Sequence, residues 1–165
     1  MGYSTDFFGE FILNKKLDEE THTFLKKFAE TRHMQRNIEG YGVEGEFYVD
    51  GGGSFGQDHE DNIVEYNQPP STQPSLWCQW VPNEDGTTIK WDEGEKFYEY
   101  VEWLVYIIAN FLAPKGYVLN GLVEYQGEEN EDFGAIAVKD NKVLVSKGIR
   151  RFGFPEEVKG RISGR

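Results

Sequence analysis

Apolar residues in the first third of the chain follow a strand pattern and then a helical one. The run Phe7–Leu13 (FFGEFIL) is aromatic and apolar, which predicts a strand. Asp18 suits a helix N-cap, and the apolar positions after it recur at helical spacing to about Met34. A second strand is predicted at Gly45–Asp50 (GEFYVD). This order makes a βαβ-like unit.

The second part of the chain repeats this scheme after a long loop. Strands are predicted at Leu76–Val81 and Thr87–Trp91, because Asp-Gly between two apolar runs is a strong hairpin signal. Asp92, with Glu95 three residues later, matches a capping box and predicts a helix that ends at Pro114. Three more strands are predicted at 117–126, 134–139 and 142–147.

The predicted element order is β-α-β followed by β-β-α-β-β-β. This order favours the α+β class, with an antiparallel or mixed sheet, two helices packed on one face and two βαβ-like halves. We expect residues 1–147 to form a single α+β domain with a long loop at 51–75. Residues 148–165 form a basic, glycine-containing tail.

Charge along the chain is uneven, and this narrows the classes of partner. The chain of 165 residues carries a net charge of -12. Residues 41–140 hold 4 basic and 20 acidic side chains, whereas the last 25 residues hold 7 basic and 2 acidic ones. An acidic segment repels nucleic acid and anionic lipid and attracts basic partners. We therefore expect no direct nucleic-acid partner and no membrane partner.

The chain has one cysteine, Cys78, so no disulfide can form within it. A reducing compartment is the simplest expectation for such a chain. The first residues lack the basic and apolar regions of a signal peptide, and no apolar run is long enough to span a membrane. The sequence therefore predicts a cytoplasmic protein.

The segment 51–82 is the predicted recognition surface. Loops longer than about 12–15 residues are usually functional or disordered, and this one is rich in aromatic and amide side chains. Such side chains can stack on and hydrogen-bond to a ligand. One or two tryptophans of the 76–91 hairpin are expected to face the surface. The candidate binding residues in this segment are Asp58, Asp61, Tyr66, Asn67, Gln73, Trp77, Gln79 and Trp80.

Arg32 and Arg36 complete the set of candidate binding residues. Cations near the C-terminus of the first helix suit the helix dipole, which is a sufficient structural role. A second interpretation is that they close a pocket against the acidic loop or bind an anionic ligand.

No catalytic, cofactor or metal motif is predicted. The glycines of 51–56 match G-x-G-x-x-G, but an acidic run follows them instead of a helix that could hold a phosphate. The run 58–61 lacks the ligand spacing of a calcium loop. Cys78 has no base nearby in sequence, so an inert core residue is favoured. The sequence therefore favours a protein that is not an enzyme.

Several blocks of the chain resemble a group of small, uncharacterised phage and bacterial proteins. The blocks are GYSTDFFGEF, GVEGEFYVDGGG, QPSLWCQWVP and GYVLNGLVEYQGE, and the resemblance extends over most of residues 1–147. It implies a mobile-element or accessory context. It implies no activity and no functional residues.

The first functional hypothesis is a non-enzymatic acidic binding protein. It would use the 51–82 loop and hairpin to bind or sequester a host protein with a basic surface, or a small polar or aromatic ligand. One alternative is a hydrolase or transferase that acts on a nucleotide or sugar, with Asp58, Asp61 or Glu65 as acid and base. The other is an inhibitor that mimics nucleic acid. A homodimer is left open.

Overall fold

A six-stranded antiparallel sheet forms most of the fold in the computed structural model, which describes residues 2–41, 47–49, 54–57 and 60–160. Its strands lie in the order β4-β5-β1-β6-β7-β8. A separate two-stranded sheet joins β2 and β3. The strands are β1 (Thr5–Leu13), β2 (Gln35–Arg36), β3 (Ile63–Glu65), β4 (Trp80–Pro82), β5 (Thr88–Trp91), β6 (Leu119–Gly127), β7 (Phe133–Lys139) and β8 (Lys142–Lys147).

The central pair β1–β6 establishes which face of the sheet is buried. Its register runs without a break from Thr5 opposite Gly127 to Leu13 opposite Leu119. Because successive side chains of a strand point to opposite faces, Phe7 and Phe11 enter the core, and Phe8 and Glu10 face outward. The predicted strand is confirmed, and only one of its faces is buried.

Two longer helices cover the inner face of the sheet, which is the face that carries Phe7 and Phe11. Helix α1 (Glu19–Glu30) begins at the predicted N-cap, where the Thr21 N–H donates to Asp18 Oδ1 at 2.7 Å. A short helix, α2, spans Ile38–Tyr41. Helix α3 (Tyr100–Ile107) continues as a π-helical segment, Ile108–Leu112, and a 3₁₀ turn, Ala113–Lys115.

Aromatic rings join the helices to each other and to the sheet. The Phe28 ring of α1 lies 5.6 Å from the Trp103 ring and 5.0 Å from the Phe111 ring, centroid to centroid. On the sheet, Phe7 lies 5.4 Å from Trp80. Each buried aromatic side chain removes about 150–250 Å² from water, so this cluster supplies much of the hydrophobic stabilisation. The α+β class with an antiparallel sheet and two helices on one face is confirmed.

The end of the first helix differs from the prediction. The helix stops at Glu30, because Thr31 adopts an extended conformation and its hydroxyl donates to the Lys27 carbonyl at 2.7 Å. The chain then forms β2, which pairs with β3. Of the strand predicted at Gly45–Asp50, the described residues 47–49 form a turn and coil, and the rest lies outside the described residues.

The start of the second long helix also differs from the prediction. The helix begins at Tyr100, eight residues after the predicted cap at Asp92. The Asp92 carboxylate accepts a hydrogen bond from the Gly94 N–H at 2.8 Å, which makes a tight turn instead of a helix cap. Short polar side chains compete with helix formation in this way. Residues 92–99 therefore form a loop.

The predicted end of the second long helix near Pro114 and the predicted Asp85-Gly86 turn are confirmed. Gly116 ends the helical region with φ 81°. Gly86, with φ 71°, lies in the β4–β5 connection, and Asp140 and Asn141 turn β7 into β8. Among the described residues, no helix is both long and apolar enough to cross a bilayer.

Candidate functional site

A groove of about 520 Å³ lies between the loop that precedes β4 and the loop that precedes α3. Its volume is within the range of about 300–1,000 Å³ that is typical of ligand pockets. The two loops come from distant parts of the chain, so the groove exists only in the folded protein. It is lined by Asn67, Pro69, Pro74, Ser75, Leu76, Trp77, Gln79, Glu95, Lys96, Tyr98 and Glu99.

Two aromatic side chains line this groove, which we call the Trp77 groove. Trp77 is half-buried and meets Phe55 edge-on, with ring centroids 5.2 Å apart and an interplanar angle of 90°. Tyr98 is 47% exposed, and its hydroxyl accepts a hydrogen bond from the Tyr3 N–H at 3.0 Å. Both rings are thus oriented by contacts outside the groove.

Hydrogen bonds of Ser75 connect the two loops that form the groove to helix α3. Its hydroxyl accepts a hydrogen bond from Trp103 Nε1 at 2.6 Å. The same hydroxyl lies 3.3 Å from the Tyr98 carbonyl and 3.4 Å from the Trp77 carbonyl, the two acceptors open to it. Because Trp103 is part of the core, the loops that carry the aromatic side chains are anchored to it.

Gln79 joins the groove to the β4–β5 hairpin. Its Nε2 donates to the Glu95 carbonyl at 2.8 Å, and its Oε1 accepts from Trp91 Nε1 at 3.2 Å. Both ends of this amide are therefore bonded within the protein. Gln79 shapes the groove and is not a free hydrogen-bonding group for a ligand.

Acidic side chains dominate the charge of the groove. Glu95 and Glu99 line it together with one cation, Lys96. Burial raises the pKa of Glu99 above its ordinary value, and the neighbouring Glu102 carboxylate adds to this rise. The groove thus places the carboxyl groups of Glu95 and Glu99 next to two aromatic rings.

The loop that carries these glutamates has a strained backbone. Glu93, Lys96 and Glu99 have φ values of 69°, 57° and 56°, in the left-handed region that non-glycine residues rarely adopt. Residues held in this region concentrate at functional sites, because the surrounding structure must enforce them. The strain supports a functional role for the 93–99 loop.

Of the predicted binding residues, Asn67, Trp77 and Gln79 meet in the groove. Tyr66 is exposed next to Asn67, outside the lining residues. The Tyr66 carbonyl accepts from Arg32 Nε at 3.1 Å, and Asn67 Oδ1 accepts from Arg32 Nη2 at 3.1 Å. Arg32 thus stabilises the turn at 66–67 and does not itself line the groove.

The expectation that Trp80 faces the surface is wrong. Trp80 is only 2% exposed, and its Nε1 donates to the Tyr100 carbonyl at 2.8 Å. In the β4–β5 register Trp80 lies opposite Trp91, so both side chains point to the inner face of the sheet. Gln73 is buried as well, and its Nε2 donates to the Tyr106 hydroxyl at 3.1 Å.

Arg36 lies inside the protein rather than at a pocket. Its Nη1 donates to Asn62 Oδ1 at 3.0 Å, its Nη2 donates to the Gly56 carbonyl, and its guanidinium lies over the Tyr48 ring at 3.7 Å. Burial lowers the pKa of Arg36. Asp61 is exposed and does not line the Trp77 groove, and Asp58 lies outside the described residues.

Sequence reasoning missed one wall of the groove. Glu95 and Tyr98 belong to a segment that was predicted to be helical. A signal was present in Asp92-Glu93-Gly94, because an aspartate two residues before a glycine is typical of a tight turn.

Comparisons with known proteins identify no relative of this chain. No family model, no curated protein and no solved structure matches the chain.

Proposed function

We propose that the protein is a binding protein that receives a basic side chain of a partner protein in the Trp77 groove. The observation that carries this proposal is the placement of Trp77 and Tyr98 beside Glu95 and Glu99 in one groove of about 520 Å³.

The chemistry of the groove suits a guanidinium or ammonium group. Cations are attracted to the faces of aromatic rings, and a guanidinium group also makes charge-assisted hydrogen bonds to carboxylates. Tyr98 is the more exposed ring, and Glu99 lies one residue from it. An arginine or lysine side chain would meet both kinds of group at once.

The rigidity of the groove favours binding. Ser75 bonds to Trp103, and Tyr98 bonds to the Tyr3 backbone, so few groups would need to be ordered by a ligand. A preformed site loses less conformational entropy on binding than a flexible loop does. The net charge of -12 would steer a basic partner toward the protein.

We propose a host protein with a basic surface as the partner, which this protein would sequester. The resemblance to small, uncharacterised phage and bacterial proteins supports that context. The charge of residues 41–140, with 20 acidic and 4 basic side chains, supports the basic character of the partner.

The hydrolase hypothesis finds no support in the described residues. Asp61 is exposed away from the groove, and Glu65 Oε1 accepts a hydrogen bond from the Asn67 N–H at 3.2 Å. Neither carboxylate lines the Trp77 groove.

Calorimetric titration with a short arginine-rich peptide, blocked at both ends, tests the proposal. We expect binding that weakens as salt is added, because exposed charges are screened. Trp77→Ala should weaken it by at least about tenfold, as expected for an aromatic anchor. Glu99→Gln should also weaken it.

Two matched variants serve as controls for this titration. Tyr66→Ala removes an exposed aromatic side chain beside the groove, and Glu84→Gln removes an exposed carboxylate in the turn between β4 and β5. Both should bind the peptide as the wild type does. Equal affinity of the wild type and Trp77→Ala would reject the groove as the binding site.

Capture of host proteins from a lysate tests the choice of partner. The informative comparison is Trp77→Ala against wild type. Trp80→Ala is unsuitable, because Trp80 lies in the core and its removal would unfold the protein. Proteins that are retained by the wild type and lost by Trp77→Ala should be basic.

A further inference from the structure

The face of the large sheet that points away from the helices carries an uncovered apolar surface. Glu10 lies opposite Leu122, Leu122 opposite Ala137, and Ala137 opposite Leu144, so these four residues form one row across β1, β6, β7 and β8. Phe8 and Ile12 flank Glu10 on the same face, because side chains two apart share a face. We call this surface the outer sheet face.

The exposed fractions on the outer sheet face are high. They are 58% for Phe8, 59% for Ile12, 52% for Leu122 and 57% for Leu144. A contiguous apolar patch rimmed by polar groups usually marks an interaction site. Strands β1 and β6 place Asp6, Glu10 and Glu124 on this face, and the register also places Lys90 of β5, Lys139 of β7 and Lys142 of β8 on it.

The tail, residues 148–160, is a second apolar surface without a partner. Arg150 fixes its start, with Nε 3.6 Å from Glu131 Oε1 and the guanidinium 4.4 Å from the Phe133 ring centroid. Beyond it all residues from 151 to 160 are exposed. Phe152, Phe154 and Val158 are 93%, 94% and 89% exposed.

We propose that the tail of one copy of this chain lies on the outer sheet face of a second copy, and that the exchange of two tails makes a homodimer. Both surfaces are apolar, and both carry charges of both signs. Arg151 and Lys159 of the tail would meet Asp6, Glu10 and Glu124. A single copy leaves both surfaces exposed, and a second copy covers each of them by a symmetric, closed arrangement.

The length of the tail is sufficient for this contact. Thirteen extended residues reach about 43 Å, whereas six strands spaced about 4.8 Å apart span about 24 Å.

The surface area that this contact would bury is sufficient too. Four phenylalanine rings from two tails would bury about 600–1,000 Å². The covered sheet faces would add a similar area, which reaches the about 1,200–2,000 Å² of a stable interface.

Sedimentation equilibrium of the full chain over a range of concentrations tests the proposal. We expect a monomer–dimer equilibrium for the wild type. A tail variant, Phe152→Gln/Phe154→Gln, and a face variant, Phe8→Gln/Leu122→Gln, should each raise the dimer dissociation constant by at least about tenfold. All substituted side chains are exposed, so circular dichroism should show unchanged folding.

Mixing the two variants separates exchange between copies from other arrangements. The tail variant has an intact face and the face variant has an intact tail, so their mixture should form a heterodimer with one good contact. Val64→Gln, which alters an exposed apolar residue of β3, should dimerise as the wild type does.

Three results would overturn the proposal. The first is a wild type that is monomeric at all concentrations. The second is a dimer that neither variant weakens. The third is a dimer that Trp77→Ala breaks and the face variant does not, since the tail would then occupy the Trp77 groove. Loss of peptide binding by Trp77→Ala with an unchanged dimer would keep the two proposals separate.

Discussion

His33 is a histidine that the core holds in its neutral form. It is 2% exposed and lies against the rings of Phe28 and Trp103, 4.1 Å and 5.3 Å away. Its Nε2 donates to the Phe28 carbonyl at 2.8 Å, and no hydrogen-bond donor among the described residues reaches Nδ1. Burial lowers the pKa of His33 from 6.5 to about 4, and the charge of Arg36 contributes.

This pKa shift predicts a loss of stability in mild acid. Between pH 6.5 and about 4 the unfolded chain binds a proton at His33 that the folded chain does not bind. Stability is therefore fully present above pH 6.5 and falls as the pH drops, by about 3 kcal/mol in total. Urea unfolding at several pH values measures this.

His33→Gln should flatten the pH dependence in this window, because glutamine keeps a donor and does not titrate. His22→Gln controls for the removal of a histidine elsewhere in the chain. A His33→Gln variant with the same acid-dependent loss as the wild type would show that other groups cause it.

Cys78 is predicted to be chemically inert in the folded protein. It is fully buried, and burial raises the pKa of its thiol to about 12. Because the thiolate is the reactive form, a chromogenic disulfide reagent at neutral pH should react only after unfolding by denaturant. Rapid reaction in native buffer would contradict the burial of this thiol.

These residues show what local sequence can predict. Cys78 was correctly expected in the core, since a cysteine with no base nearby most often packs as a small apolar group. Trp80 was not placed correctly. A tryptophan on a strand can point to either face, and only its register opposite Trp91 decides which one.

At the scale of elements, the turn between β7 and β8 makes hydrogen bonds to a distant segment that its local sequence does not predict. Asp140 and Asn141 have φ values of 47° and 70°, as a two-residue hairpin turn requires. The Asn141 amide also reaches the start of β6. Its Oδ1 accepts from the Leu119 N–H at 2.7 Å, and its Nδ2 donates to the Tyr117 carbonyl at 3.0 Å.

Asn141→Gly is therefore predicted to destabilise the protein by about 1–3 kcal/mol, although glycine suits the turn. The reason is the loss of both hydrogen bonds to the segment 117–119. Asp140→Gly, at the neighbouring turn position, should change the free energy of unfolding by no more than about 0.5 kcal/mol. Thermal or urea unfolding compares the two. Equal stability of both variants would mean that the Asn141 bonds contribute nothing.

The strands β2 and β3 were not predicted, and the strand predicted at Leu76–Val81 forms only at Trp80–Pro82. The turns and the strands β1, β6, β7 and β8 were easier to predict than helix ends, for a physical reason. The alternation in β1 and the Asp140-Asn141 turn are local patterns that match local structure. The start of α3 is set by contacts with distant residues. Lys96 N–H donates to Ser4 Oγ, and Tyr98 accepts from Tyr3, so the N-terminus of the chain holds 96–98 out of the helix.

For the whole molecule, the tail is predicted to be the first site of proteolysis. Residues 151–160 are exposed and have no regular structure, which is typical of protease-sensitive segments. At concentrations at which the chain is monomeric, trypsin should cut after Arg151 or Lys159 before it cuts residues 1–147. The Lys15–Lys16 loop is pinned on both sides by hydrogen bonds from Asn14 N and Leu17 N and should resist. Mass spectrometry of a digestion time course identifies the first fragments.

The two proposals rest on different physical interactions. Residues 1–147 are acidic and carry both the Trp77 groove and the outer sheet face. Residues 148–165 carry five cations and two carboxylates. The proposed groove interaction uses the attraction between carboxylates and a basic side chain, whereas the proposed dimer uses the burial of exposed apolar side chains.

The sequence by itself determined the fold class, the turns and the charge asymmetry, because these follow from the order of neighbouring residues. It also predicted Trp77 and Asn67 as candidate binding residues, and both line the Trp77 groove. Only the tertiary structure decided that Glu95, Tyr98 and Glu99 form the opposite wall of that groove and that Trp80 belongs to the core. Those placements depend on strand register and on hydrogen bonds between residues far apart in the chain.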